Sequence, residues 1–424
     1  MRAVLISCYD LGHQPFGLAE PAAWLRQSGI RVDPLDLAVE TIREEPVRAA
    51  DLIAFHVPMH TATRLAVGIL PRIRAINPKA HICFYGLYAP LNVSYLKALG
   101  VGTVLGGEFE TGLLSLAERL QSGEDFVSEE QKEPLISRRR QDFLVPDRRG
   151  LPSLDQYARL RMGNGEARTS GYVEASRGCK HLCRHCPIVP VYQGRFRIVP
   201  ADVVLEDVRM QAAAGARHIT FGDPDFLNAP GHSIPLVKRL HQEFPELTYD
   251  VTAKVEHLLR HADILPELRR TGCLFVTTAV ESIDDRVLGL LDKGHTMEDF
   301  RRVVGICTEA RLGLSPTFIP FTPWIDRLGY LKLLETLASL DLIDQVAPVQ
   351  LTIRLLIPPG SSLLELQEVR RWIGPLDAEK LCYPWVHQDD GMDLLHQEVE
   401  GIVRKGEKEG RNRREVFFKI WETA

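Results

Sequence analysis

The stretch Ser176-Arg177-Gly178-Cys179-Lys180-His181-Leu182-Cys183-Arg184-His185-Cys186 decides how the rest of the chain is read. Its cysteines follow the spacing C-x3-C-x2-C, so three thiols fall on one short loop. They are three of only eight cysteines in 424 residues, far too few for a disulfide scaffold. Structural zinc takes four protein ligands, and a fully ligated iron–sulfur cube takes four cysteines. Three thiolates leave one coordination position open, which is what catalysis at a metal requires. Spacing alone also allows a Cys3His zinc knot completed by His181 or His185. Cys8, Cys83, Cys273, Cys307 and Cys382 are scattered, most of them in apolar runs, and read as core residues.

Working outward, the loop follows a strand-like run at residues 171–175. Further runs at 218–221, 247–252, 274–279, 313–318 and 349–356 alternate with helical patterns. The clearest helix carries Phe300, Val303, Val304 and Cys307, the i, i+3, i+4, i+7 stripe of one buried face. Six βα units predict a parallel partial barrel over residues 171–360, with function at the C-terminal ends of the strands. Residues 361–424 read as a helical extension. Residues 1–123 show the same alternation, with strands expected near 4–7, 30–37, 52–55, 81–85 and 103–105, which predicts a doubly wound parallel sheet. Residues 124–170 form a connector: acidic over 124–132, basic at Arg138-Arg139-Arg140 and Arg148-Arg149, and interrupted by Pro134, Pro146 and Pro152. Its arginines read as a solvated face or a domain contact rather than a nucleic-acid site.

Composition agrees with this layout. At about 150 residues per domain the length predicts two or three domains. Apolar residues make up 45% and charged residues 25%, which excludes disordered and collagen-like classes. The net charge of −5 gives no basic surface for nucleic acid or anionic lipid. No apolar run reaches the roughly 18–20 residues of a membrane span. The opening Met1-Arg2-Ala3-Val4-Leu5-Ile6-Ser7-Cys8 stops at Tyr9-Asp10, too early for a signal peptide, so a cytoplasmic protein is expected. In a reducing compartment, clustered cysteines are read as metal ligands.

The motif resembles the C-x3-C-x-Φ-C signature of radical S-adenosylmethionine (SAM) enzymes, with His185 at the aromatic position. The resemblance implies that Cys179, Cys183 and Cys186 hold three irons of a [4Fe-4S] cluster, and that SAM chelates the fourth. It implies reductive cleavage of SAM to a 5′-deoxyadenosyl radical, with an electron donor such as flavodoxin or ferredoxin. Phe221-Gly222-Asp223-Pro224-Asp225-Phe226 is similar to the family segment that binds the SAM amino group, which puts Gly222 and Asp223 beside it. Asp223 and Asp225 also read as caps of the next helix. Val280-Glu281-Ser282, with Asp292-Lys293-Gly294-His295-Thr296 after it, resembles the fourth-strand segment, so Glu281 and Ser282 would lie near the SAM ribose or carboxylate. Lys254 would meet the carboxylate by charge pairing, or else be a surface charge.

A doubly wound domain before such a barrel resembles a cobalamin-binding domain. Asp10-Leu11-Gly12-His13-Gln14-Pro15-Phe16-Gly17 is similar to that domain's D-x-H-x-x-G motif but has the spacing D-x2-H-x3-G. His13 is the candidate cobalt ligand. Gly106 and Gly107, in Leu105-Gly106-Gly107-Glu108-Phe109-Glu110, match the domain's glycine pair. The alternative is a degenerate domain that packs against the barrel. Residues 10–18 and Tyr383-Pro384-Trp385 resemble a radical SAM group named for a C-terminal CUAEP or CCAEP tail, which this sequence lacks. The expected activity is therefore radical SAM chemistry, with cobalamin-dependent methylation or rearrangement as a subclass and a small molecule or peptide as substrate. The alternatives are a zinc-stabilised binding protein and a non-catalytic iron–sulfur protein that binds SAM.

Overall fold

A computed structural model describes residues 1–123, 133–163 and 165–424. The acidic stretch 124–132 lies outside the described residues. The chain divides into two compact units, one of Met1–Gly178, Pro190–Gly222 and Ala378–Leu381, the other of Cys179–Val189, Asp223–Asp377 and Cys382–Ala424.

The first unit begins with β1 (Arg2–Ser7), β2 (Arg31–Asp36), β3 (Leu52–His56), β4 (His81–Tyr85) and β5 (Thr103–Gly107). A sixth strand, β6 (Ile136–Ser137), comes from the connector, so the sheet order is β2-β1-β3-β4-β5-β6 and every pairing is parallel. Successive side chains of a strand point to opposite faces. Val4 and Ile6 enter one apolar layer with Ile53, Phe55 and Phe84, while Ala3 and Leu5 enter the other with Leu52, Ala54 and Cys83. Both faces are covered, which explains why these strands read as unbroken apolar runs. The connector's basic residues are used within this unit. Arg148 pairs with buried Asp207 at 2.8 Å, and Arg138 donates to the Val191 carbonyl at 2.6 Å.

The second sheet contains β7 (Arg159–Arg161), β8 (Ala167–Val173), β11 (His218–Phe221), β12 (Thr248–Thr252), β13 (Cys273–Glu281) and β14 (Gly313–Phe318), in the order β14-β13-β12-β11-β8-β7. A separate antiparallel ribbon pairs β9 (Ser176–Gly178) with β10 (Phe196–Ile198). Strands β8, β11, β12, β13 and β14 alternate with helices in a curled half barrel, and β7 closes its edge in antiparallel fashion. The α/β class and the partial barrel expected from the sequence are present.

The sixth barrel strand expected at 349–356 differs. Pro348–Leu351 is a 3-10 turn, and only an isolated bridge, Phe321 to Arg354, remains of the strand. The Gln350 side chain accepts from the Phe318 amide at 3.3 Å, so a side chain meets the end of β14 where backbone was expected. The helix Met297–Glu309 starts at a capping box between Thr296 and Asp299 and buries Phe300, Val303 and Cys307. The extension forms helices Asp390–Glu409 and Arg413–Thr423. Among the described residues no helix is long and apolar enough to cross a membrane.

Candidate active site

The cysteine loop belongs to the second unit. Cys179 and Cys183 are buried and Cys186 is half-buried. A turn closes from the Cys186 amide to the Cys183 carbonyl at 3.1 Å. The far side of the loop is docked on the helix Asp285–Leu291. The Arg184 amide donates to Leu291, its guanidinium donates to the Gly289 and Leu290 carbonyls at 3.0 Å, and its own carbonyl accepts from the Ser361 hydroxyl at 2.9 Å. Arginine thus caps the carbonyl end of that helix, where a cation is favoured.

Burial pushes the thiol of Cys186 up to about 12 and raises that of Cys179. Thiols held this way become ligands only when a metal supplies the compensating charge. Among the described residues, the three thiols are not all within 4.8 Å of one another, and neither His181 nor His185 forms such a group with them. Tetrahedral zinc with bonds of about 2.3 Å holds its thiolates about 3.8 Å apart. An iron–sulfur cube carries its cysteines on separate corners and spreads them wider. Three thiols on one loop leave a coordination position open, as a three-cysteine cluster requires.

Beside the loop stands a buried ion-pair group. Glu281, the last residue of β13, has φ +70° and sits at an irregularity between β13 and β14. A left-handed glutamate is strained, and such strain concentrates at functional sites. Lys293 donates to its Oε1 at 3.3 Å, and His185 Nε2 lies at the same distance. Burial opposes ionisation of Glu281, but Lys293 and His185 prevail and lower its pKa to about 2. Lys293 is buried too, yet Glu281 raises its pKa, with smaller contributions from Cys183 and Cys186. Lys254 is 7% exposed, not a surface charge, and its ammonium lies 3.7 Å from Glu256. His295 is driven down to about 4 by burial, with Lys293 and Lys254 adding to the effect, so it is neutral. Ser282 is buried and accepts from the Asp284 amide at 3.1 Å. The second unit thus brings together the cysteines, His185, Lys254, Glu281 and Ser282.

Lys293 stands out in the sequence only as part of a motif, and its buried pairing with Glu281 has no spacing signature. Asn228, whose amide points at Cys179 Sγ from 3.8 Å, carries no sequence signal at all. Asp223 is buried at the start of this unit. Asp225 caps as expected, with Oδ1 accepting from the Leu227 amide at 3.1 Å. Gly222 belongs to the first unit, where a Cβ would fall 1.8 Å from the Tyr172 hydroxyl.

The first unit places the remaining candidates. The His13 ring lies 5.0 Å from Tyr172. Gly106 faces Pro90, which a Cβ would meet at 2.5 Å, and Gly107 faces the Ser137 carbonyl, at 2.0 Å. Gly17 faces the ring of buried His56, at 2.1 Å. His56 packs with Tyr85 and Phe109 at the C-terminal ends of β3 and β4. At each of these glycines the chain's own atoms pack where a side chain would otherwise stand.

This unit also holds a buried arginine centre. Arg177 contacts Glu20 at 2.6 Å, Glu110 at 2.5 Å, Glu174 at 2.9 Å and Glu108 at 3.9 Å. The rings of Phe16, Phe109 and Phe143 surround its guanidinium at 5.3–5.8 Å. Burial raises Glu20 and Glu174 and pushes Glu108 up to about 7. Burial acts on Glu110 as well, but Arg177 outweighs it and keeps that carboxylate ionised.

Residues 173–327 match the Radical SAM superfamily. A tRNA-2-methylthio-N(6)-dimethylallyladenosine synthase of Chlorobium limicola is 29% identical over 163 residues, 36% of each chain, so the match spans about a third of that relative's length. A second such synthase, from Aromatoleum aromaticum, is 24% identical over 300 residues, 63% of this chain and 61% of its own. The fold is similar to that of the radical SAM methyltransferase TsrM of Kitasatospora setae, solved with tryptophan and a SAM analogue. The TM-score is 0.66 at 18% identity, over 89% of this chain and 79% of that one. It is also similar to the cobalamin-dependent radical SAM enzyme OxsB, with TM-score 0.72 at 15% identity over 96% and 66%. The cysteine loop and the Glu281–Lys293 pair both lie inside the segment that matches the Radical SAM superfamily.

Proposed function

We propose that this chain is a radical SAM enzyme, and the observation that carries the reading is the C-x3-C-x2-C trio Cys179, Cys183 and Cys186 on one loop, with His185 of that loop on the buried Glu281–Lys293 ion pair, all inside the segment that matches the Radical SAM superfamily. The cysteines would hold three irons of a [4Fe-4S] cluster, and SAM on the fourth iron is the source of a 5′-deoxyadenosyl radical. Lys254 would offer its ammonium to the SAM carboxylate, and Asp223 would accept from the SAM amino group. Glu281, held ionised by Lys293 and His185, would accept from hydroxyl groups of the ribose, with Ser282 next to it. The electron would come from a flavodoxin or ferredoxin in the cytoplasm, and the substrate would be a small molecule or peptide.

The finer reading is cobalamin-dependent methylation or rearrangement. Its support is the fold likeness to TsrM and OxsB, for both of which structures with cobalamin have been solved. Membership of the CUAEP or CCAEP group rests on residues 10–18 and 383–385. Absorption of the anaerobically purified protein in the corrinoid region decides whether cobalamin is present.

The test of the main reading is anaerobic reconstitution with iron and sulfide, then assay for 5′-deoxyadenosine under strong reductant. About four irons per chain and SAM-dependent 5′-deoxyadenosine are expected, and Cys183→Ala should lose both. A wild-type protein that takes up no iron, or takes it up and leaves SAM intact, would refute the proposal.

A further inference from the structure

A second group of ligand atoms, one of them on the same loop, is not used by the chemistry above. His181 stands between Cys179 and Cys183, Asp225 follows β11, and His257 lies on the helix Val255–Arg260 after β12. His181 Nε2, Asp225 Oδ2 and His257 Nδ1 all lie within 4.8 Å of one another. Asp225 is fully buried, His257 is 4% exposed, and all three of these atoms lack a hydrogen-bond partner.

That last fact is informative because the atoms are close. His257 Nδ1 is 2.7 Å from Asp225 Oδ2, and His181 Nε2 is 3.3 Å from it, yet neither pair is aligned as a hydrogen bond. An imidazole nitrogen carries its proton or its lone pair along the same in-plane direction. A ring nitrogen at 2.7 Å that does not point at the oxygen points beside it. Two ligands that share a metal behave this way, since both aim at a third atom. Bonds of about 2.1 Å put neighbouring ligand atoms about 3.0 Å apart in an octahedron and about 3.4 Å apart in a tetrahedron. The observed 2.7 and 3.3 Å lie close to those spacings.

The surroundings fit as well. The other nitrogen of His181 faces Glu256 at 3.8 Å, and Glu256 in turn faces Lys254 at 3.7 Å. A carboxylate behind a histidine is the usual means of fixing which ring nitrogen binds a metal. Asp225 Oδ1 is held by the Leu227 amide, which leaves Oδ2 for a ligand. The two imidazole rings are 4.7 Å apart at 57°, so they are not stacked on each other.

We propose that His181, Asp225 and His257 form a second metal site, distinct from the three cysteines, which takes a divalent first-row transition ion. Two histidines and one carboxylate are a borderline nitrogen and oxygen set, suited to zinc or ferrous iron and open at the remaining positions. The ion would tie the first half of the cysteine loop to the segments after β11 and β12. This assignment stands apart from the radical SAM reading, because its ligands are separate and its test does not depend on turnover.

The test is anaerobic equilibrium dialysis of cluster-loaded holoprotein against buffered Zn2+, with iron and zinc measured together and the zinc absorption edge recorded. One zinc per chain is expected in addition to the cluster iron, with nitrogen and oxygen neighbours near about 2.0 Å and no sulfur near about 2.3 Å. Asp225→Asn and His257→Gln should each weaken zinc binding at least about tenfold while iron content stays at the wild-type level. No retained zinc, sulfur among its neighbours, or equal retention in variants of normal iron content would each overturn the proposal. If both variants fail to fold, the absorption edge of the wild-type protein is decisive by itself.

Discussion

Arg177 offers the sharpest test of the packing, through the substitution Arg177→Met. Methionine keeps much of the aliphatic volume among Phe16, Phe109 and Phe143 but removes the charge that Glu20, Glu110 and Glu174 contact at 2.5–2.9 Å. Removing one partner of a buried ion pair costs about 3–5 kcal/mol, because the other charge stays buried without compensation. Here the stranded partners are carboxylates, which can escape by taking protons. In the wild type, Glu20, Glu108 and Glu174 are raised and Glu110 is held down by Arg177. Raised carboxyl groups bind protons more tightly in the folded state, so the stability they confer is present at low pH. It is lost as pH rises, for Glu108 through about 7. Without Arg177, Glu110 joins the raised set. Each extra proton the folded variant must hold lowers its relative stability by about 1.4 kcal/mol per pH unit. The assay is thermal unfolding of wild type and variant, followed by circular dichroism at about pH 6 and about pH 8. The melting temperature of the variant should fall by roughly 10 °C at the higher pH and clearly less at the lower. A variant that melts with the wild type at the higher pH, or that loses equally at both pH values, would refute the account of the centre.

Other outcomes follow from particular contacts. Glu281→Gln leaves Lys293 buried without its counter-charge and should cost about 3 kcal/mol at neutral pH, read as a lower melting temperature. Glu281 has a depressed pKa, about 2, so its contribution is present above the ordinary glutamate range and fades as pH falls toward 2. Acid unfolding between about pH 5 and about pH 3 should therefore be shallower in the variant. Gly17→Ala drives a methyl group into the His56 ring and should cost about 1–3 kcal/mol or more in urea unfolding. Adding His56→Ala should recover much of that loss. A double variant no better than the sum of its parts would mean that the two residues do not share the space.

Much of the fold was legible because apolar runs of strand length alternated with helical stripes, and the N-terminal sheet is covered on both faces. The strand at 349–356 was not, because an apolar run reads alike in a strand and in a turn packed on the core. What decides is the partner, and there the Gln350 side chain takes the bond to Phe318. The strand β6 was missed because two residues carry no periodicity. In the site, Cys179, Cys183 and Cys186 were visible as a spacing on one loop. Lys293 on Glu281 and His181 with Asp225 and His257 were not, because they meet through tertiary structure from separate segments. Asp225 read equally well as a cap, and it is one, with only one of its two oxygens.

The docking of Arg184 on the helix Asp285–Leu291 bears on how a cluster at this loop would be inserted and replaced. Four hydrogen bonds hold the rim of the cysteine loop. Small zinc domains, by contrast, need their ion to fold at all. A rim held by its own hydrogen bonds would receive a cluster as cargo enters a berth, with maturation a late delivery to a folded protein. A cluster lost to oxygen would leave behind a folded chain that can be reloaded in place.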